Sequence, residues 1–472
     1  MKEITLQDIL RVTKGELICG EKLETKCNKY CFDSRKLEEG DIYVGLQGDI
    51  INGGIYYEQA LEKGAIGCII QEIEIPKEKI EKYKNKFIIK VSDTLEALTQ
   101  IAIYKRNLYN NLKVVAITGS VGKTSTKDII ASVISKKYKT LKTKANFNNH
   151  IGVPMTILSL KDEEVLVIEM GMNHKGEISK LTKIAKPNIC VITNVGTSHI
   201  GNLGSRENIL KAKLEILEGC EEKCIVINND NDMLHEWYEK NRENNNLKIH
   251  TFGIKNESEF SAKEIKAVGN GSIFNVEGLT KENVQIHVPV GGEHFVYNAI
   301  CAVSVGKLLN LSVDEIKHGI EKFELTQKRM EIIKKDNYTI INDAYNASYE
   351  SMKASLGYLS QNYKNNRKIA ILGDMLELGD FSKELHEKVG EEIVKNNIDI
   401  LICAGKESKN IVKKAQERGM KENNIYYFNE EKQNEKIFNL LKNIIQKEDA
   451  ILIKASNSMK FFKIAEMLNE KN

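Results

Sequence analysis

The residues best equipped for chemistry lie together in Thr118-Gly119-Ser120-Val121-Gly122-Lys123-Thr124-Ser125. They follow an apolar, β-prone run, Val114 to Ile117, and precede a stretch in which Ile129, Ile130, Val133 and Ile134 recur at helical spacing. This pattern predicts strand, glycine turn and helix. In such a turn, backbone N–H groups close around phosphate oxygens and the helix N-terminus adds positive potential. Lys123 reaches the outer phosphates, and the Thr124 hydroxyl can hold Mg²⁺. The stretch therefore reads as a cradle for ATP or GTP. Only Ser120 and Val121 separate its glycines, where the general phosphate-loop pattern has four residues.

The other candidates stand where predicted strands end. Glu169 closes the run Glu164-Val-Leu-Val-Ile-Glu169, and a carboxylate there can hold the Mg²⁺ of the nucleotide, directly or through water. His199 lies in the polar mouth after Ile189-Cys-Val-Ile, as a ligand or as an ordinary hydrogen-bonding residue. Lys213 shares a Ser205-capped helix with Lys211. Such a pair is either solvated or turns one amine to the metal site, where burial favours the neutral form that reacts with CO₂. Asn298, one turn beyond His294, can read an adenine edge or serve as polar filler in a helix. Asp33-Ser34-Arg35 is either a solvated turn or a grip for a diphosphate or a uracil edge. Asp343 and Asn346 follow the strand Tyr338-Thr-Ile-Ile-Asn342, and Arg329 precedes another strand.

Positioning these groups takes more than one core. The 472 residues predict about three domains: mixed α/β at 1–92, a phosphate-loop domain with a mostly parallel sheet at 93–326, and a doubly wound, Rossmann-like α/β domain at 327–472. The last lacks a dinucleotide glycine fingerprint. Lys plus Arg number 69 against 66 Asp plus Glu, so no global basic field invites nucleic acid. Nine scattered cysteines, an odd count without a C-x-x-C pair, indicate neither a disulfide framework nor a zinc site. Cys220 and Cys224 read as helix-spaced, incidental thiols. The N-terminus is amphipathic and no apolar run is of membrane-spanning length, so a cytoplasmic protein without membrane insertion is expected.

Several of these motifs together resemble the ATP-dependent Mur ligases of peptidoglycan synthesis. They are Asp33-Ser-Arg, Thr-Gly-Ser-Val-Gly-Lys-Thr, Asn146-Phe-Asn-Asn-His-Ile-Gly-Val-Pro, Glu169-Met-Gly-Met-Asn-His-Lys-Gly-Glu-Ile, Asp343-Ala-Tyr-Asn-Ala-Ser and Leu372-Gly-Asp-Met-Leu-Glu-Leu-Gly. The resemblance runs the length of the chain. It implies that Lys123 and its loop bind ATP phosphates, that Thr124 and Glu169 serve one Mg²⁺, and that His199 with Glu169 lies at a second. Lys213 would be the N-carboxylated lysine of related ligases. Asn298, Arg329 and Asp343 would contact adenine, phosphates and nucleotide; Asp33, Ser34 and Arg35 would bind UDP; Asn346 would stand beside an incoming dipeptide. Within the family, the motifs at Glu169, Asp343 and Leu372 point to the member that joins D-alanyl-D-alanine to UDP-N-acetylmuramoyl-tripeptide through an acyl phosphate, the last cytoplasmic step of precursor synthesis; a monomer is expected. The chain departs from the usual family pattern at Asn52-Gly-Gly, Tyr349 and Asn457. Two other readings compete: the sister ligase that adds a diamino acid, whose Asp-Asn-Pro-Arg motif is absent, and a nucleotide-gated binding protein that hydrolyses ATP without joining anything.

Overall fold

The structure, a computed structural model, describes residues 2–326 and 329–470. It contains three sheets, confined to residues 16–90, 113–288 and 331–454. The first has five strands in the order Glu16–Cys19, Phe87–Lys90, Gly67–Ile70, Ile42–Val44, Tyr30–Cys31, parallel except for the first pair. The helix Thr94–Leu108 leads out of it, its N-terminus capped by the Asp93 carboxylate, which accepts from the N–H groups of Leu95 and Glu96. This helix packs on Leu6–Thr13 of the first domain and on Gly152–Leu158 and Glu177–Ala185 of the second, and so bridges the two.

The second sheet is the frame of the site. Its strand Lys113–Thr118 runs between Val165–Glu169 and Ile189–Ile192, parallel to both. Helices cover both faces, so the interior of each strand is apolar without alternation: Val114 to Ile117, Val165 to Ile168 and Ile189 to Ile192 are all buried. After the first strand, the chain goes to one side of it for Thr140–Lys142 and Val165–Glu169, then to the other for Ile189–Ile192, Cys224–Asn228 and Lys248–Gly253. The turns after the three central strands thus open at one edge, at the point where the strand order reverses and ligands of such sheets bind. Phe260–Val268, Gly271–Glu277 and Val284–Val288 extend the far side, the last two by antiparallel pairing.

The third sheet has the order Glu331–Lys334, Tyr338–Asn342, Asp449–Lys454, Lys368–Gly373, Ile400–Ala404, Ile425–Phe428, parallel but for its first pair, with a separate apolar core on one face. The chain reaches it at Thr326, whose N–H and hydroxyl donate to the buried Asp128 carboxylate at 3.1 and 2.8 Å. The expected start of this domain, residue 327, lies outside the described residues, as do residues 1 and 472. Cys220 and Cys224 do not share a helix: Cys220 sits in a turn and Cys224 opens a strand, because Lys223 takes a left-handed conformation between them. All nine cysteines are free thiols. Among the described residues, no helix is long and apolar enough to cross a membrane.

Candidate active site

The phosphate loop leaves the strand Lys113–Thr118 and enters the helix Lys123–Ile134 at Gly122, whose φ of 80° is left-handed and suits glycine. Gly119 is fixed by a different constraint: a Cβ there would lie 1.9 Å from Thr193 Oγ1. That contact belongs to a brace formed by the next strand's exit loop. Thr193 Oγ1 and Asn194 Nδ2 donate to Val121 O at 2.7 and 2.9 Å, and Val121 N–H donates to Asn194 Oδ1 at 3.0 Å. Gly196 N–H donates to Ser120 Oγ at 2.9 Å, and Ser198 Oγ to Ser120 O at 3.2 Å. Lys123 folds back on its own loop, Nζ donating to Gly119 O at 2.7 Å. Burial lowers the proton affinity of its ammonium, with Glu169 opposing and Arg329 adding to the effect.

Glu169 is 1% exposed and fully partnered. Its Oε2 accepts from Thr124 Oγ1 at 2.9 Å, its Oε1 from Asn148 Nδ2 at 2.8 Å, and its N–H donates to Thr143 Oγ1 at 2.9 Å. The asparagine-rich loop thus holds the carboxylate in place through Asn148. Thr124 and Glu169 present hard oxygen donors side by side at the mouth of the phosphate loop, a donor set that suits Mg²⁺. His199 has a left-handed φ of 63°, and its Nδ1 lies 2.5 Å from Glu377 Oε2 of the third sheet's domain. Among the described residues, no group of three or more His, Cys, Asp or Glu stands ready around a metal position. Lys213 is buried at 1% exposure, whereas Lys211 points to solvent. Desolvation pushes the Lys213 amine well below its ordinary proton affinity; the nearby Lys123 charge adds to this and Glu350 opposes it.

A single cavity joins the loop to the third domain. Ser120 to Thr126, Asn298, Arg329, Asp343 and Asn346 all line it, together with His294, Tyr345 and Lys454. Asn298 reaches from the helix Glu293–Leu308, its Oδ1 accepting from Thr126 Oγ1 at 3.0 Å. The Arg329 guanidinium lies over the Tyr345 ring, 4.2 Å from its centroid. Asp343 Oδ2 accepts from Lys454 Nζ at 2.6 Å and from Ser355 Oγ at 2.7 Å, and the same ammonium donates to Asn346 O at 3.0 Å. Lys454 was not singled out from sequence, because a lysine closing an apolar strand reads as an ordinary strand end. Asp33, Ser34 and Arg35 are not in this cavity. Arg35 is largely exposed; its guanidinium donates to Asp33 at 2.8 and 3.0 Å and its backbone N–H at 3.1 Å, and these bonds hold that carboxyl down at about 2. Beside them, the Phe32 ring meets Phe147 of the asparagine-rich loop at 6.2 Å between centroids, so the first domain abuts the loop that holds Glu169.

His294 is neutral at ordinary pH: burial brings it to about 4, and Lys454 reinforces what Asp343 opposes. Below pH 6.5, the unfolded chain takes up a proton that the folded chain refuses until about pH 4. Stability contributed by this site is therefore present above pH 6.5 and is lost as pH falls across that window. Denaturation midpoints measured at pH 7 and pH 5 will differ less in His294→Asn than in the parent chain.

Comparison with known proteins shows the family of the chain. Residues 117–306 match the model of the Mur ligase middle domain, and residues 328–457 that of the Mur ligase glutamate ligase domain. The UDP-N-acetylmuramoyl-tripeptide–D-alanyl-D-alanine ligase of Bacillus subtilis is 35% identical over 99% of this chain and 98% of its own length. The chain belongs to the Mur ligase family, on that branch. The Escherichia coli relative of the same description is 30% identical, covering 86% of this chain and 87% of its own. Among solved structures, MurF from Acinetobacter baumannii superposes with a TM-score of 0.87 at 29% identity over the whole of both chains. MurF from Thermotoga maritima in complex with ADP gives 0.80 at 27%, covering 94% of this ligase and 97% of that chain. The ligase thus shares the three-domain α/β fold of MurF and is an ATP-dependent peptide ligase.

Proposed function

We propose that the ligase joins D-alanyl-D-alanine to UDP-N-acetylmuramoyl-tripeptide in peptidoglycan precursor synthesis, with ATP cleaved to ADP and phosphate. The observation that carries this reading is the shared cavity: the phosphate loop forms one wall and the Asp343-Ala-Tyr-Asn346 turn the other, in a chain 35% identical to a ligase of that description. In this reading the three-domain division at 1–92, 93–326 and 327–472 assigns one reactant to each domain: UDP to Asp33, Ser34 and Arg35, outside the cavity, ATP to the phosphate loop, and the dipeptide to the surroundings of Asn346.

A carboxylate does not acylate an amine, because its leaving group would be oxide. The terminal carboxylate of the tripeptide therefore attacks the γ-phosphorus, the bond to the β-phosphate oxygen breaks, and ADP departs, leaving an acyl phosphate. The dipeptide amine adds to the acyl carbon, loses a proton, and the tetrahedral intermediate expels phosphate. Lys123, turning from Gly119 O to the phosphates, and Arg329, held over Tyr345, offset charge on the transferring group. Asn298 orients the adenine. Mg²⁺, held by Thr124 and Glu169, would screen the repulsion between carboxylate and triphosphate. Lys213 has the buried, weakly basic amine that carbamate formation requires, with CO₂ adding to the nitrogen and a proton leaving; the resulting anion would offset the Lys123 charge beside it. We expect a cytoplasmic monomer.

Tripeptide carrying ¹⁸O in its terminal carboxylate tests the acyl phosphate. One labelled oxygen should appear in the released phosphate; phosphate free of label would contradict the mechanism.

A further inference from the structure

Glu350 enters the account above only as the charge that opposes the lowering of the Lys213 amine. It lies in the first turn of the helix Tyr349–Asn362, N-capped by Ser348, and reaches across to the second domain. Its Oε1 accepts from Thr197 N–H at 2.7 Å and its Oε2 from Thr197 Oγ1 at 3.1 Å. The fit is close: a Cβ on the adjacent Gly196 would lie 2.5 Å from the carboxylate carbon. Gly196 is also the residue whose N–H holds Ser120 Oγ, so one backbone unit separates Glu350 from the phosphate loop. At the other end of the lever, the helix of Glu350 carries Ser355, which lines the cavity and donates to Asp343.

We infer that Glu350 is a positioning residue. By clamping Thr197, it locks the loop that braces Ser120 and Val121 to the helix behind Asp343, and so fixes the distance across the cavity between the phosphate loop and the dipeptide side. It touches neither nucleotide nor dipeptide in this role. The inference rests on the ligase reading: a clamp of this kind matters because the acyl phosphate must meet the amine before it meets water, and reacting groups displaced by about 1 Å lose up to two orders of magnitude in rate.

The test compares Glu350→Ala, Glu350→Gln and Thr197→Val in the full chain. It reads the ratio of phosphate released to peptide formed, and the affinity for ADP by titration calorimetry. The parent chain must first give dipeptide-dependent product; a parent that makes none overturns the ligase reading itself. Glu350→Ala is expected to lower kcat about tenfold, to release several phosphates per peptide bond, and to weaken ADP binding. Gln keeps an acceptor for the Thr197 N–H and restores most of the coupling. Adding Thr197→Val to Glu350→Ala costs little more, since the hydroxyl bond that valine removes is already gone once the carboxylate is lost. If Glu350→Ala does not fold, Thr197→Val shows the same change in ratio to a smaller degree. A folded Glu350→Ala with parental coupling ratio and ADP affinity overturns the inference, as does a Gln variant no better than Ala or a Thr197→Val whose ratio is unchanged when Glu350→Ala cannot be obtained.

Discussion

Replacing Lys123 by Ala should lower ATP-dependent turnover by about 10²–10³-fold, the usual effect of losing one preorganised donor to a developing anion. The ammonium is tied to Gly119 O at 2.7 Å and sits within the electrostatic reach of both Glu169 and Arg329, so it is held at the loop that would receive the triphosphate. The effect should fall on the chemical step more than on folding. A desolvated cation whose proton affinity is already reduced costs stability, and its removal leaves one carbonyl with one donor fewer. The melting temperature of Lys123→Ala should therefore match or exceed that of the parent while phosphate release collapses. A variant that loses activity only in proportion to its loss of folded protein would count against the assignment.

Glu169→Gln should be nearly as damaging, for a different reason. Both carboxylate oxygens are acceptors in the present arrangement, one for Thr124 Oγ1 and one for Asn148 Nδ2. An amide can accept at only one of these positions and places a donor at the other. At a site 1% exposed, one bond is lost or the amide is turned, costing on the order of 1–3 kcal/mol of stability. The loss of the negative charge also removes a donor suited to Mg²⁺, so turnover should fall by about 10²-fold and the Mg²⁺ concentration for half-maximal rate should rise. Titrating activity against Mg²⁺ checks this. An unchanged midpoint would mean that Glu169 only anchors Thr124 and Asn148.

Much of this arrangement is legible in the chain because parallel sheets concentrate chemistry at one edge. The apolar runs ending at Thr118, Glu169 and Ile192 are unbroken since both faces are covered, and each stops where polar residues begin. Reading the ends of those runs finds the phosphate loop, Glu169 and the loop containing Asn194. Asn298, Arg329, Asp343 and Asn346 come from elements more than a hundred residues downstream, and local patterning alone left Asn298 indistinguishable from polar filler. Resemblance raised these residues, and the cavity brings them together.

What escaped the sequence consists of partnerships between distant elements. Glu350 is one acidic residue in a helix's first turn, where such residues are common; only the tertiary structure shows that it faces Thr197. Lys454 ends an apolar strand and finds its partner in Asp343, 111 residues away. His199 reads locally as a metal ligand or an ordinary loop histidine, and its closeness to Glu377 depends on how two domains meet. Spacing also misplaced Cys220 and Cys224, because four residues apart is helical only if no turn intervenes.

The most direct test of the ligase assignment is phosphate release from Mg-ATP in the presence of UDP-N-acetylmuramoyl-tripeptide, measured with and without D-alanyl-D-alanine, with mass analysis of the product. Release that requires both substrates, accompanied by the mass of the amide-linked pentapeptide, is the predicted result. Release indifferent to the dipeptide, with no such product, would leave an ATPase and contradict the account.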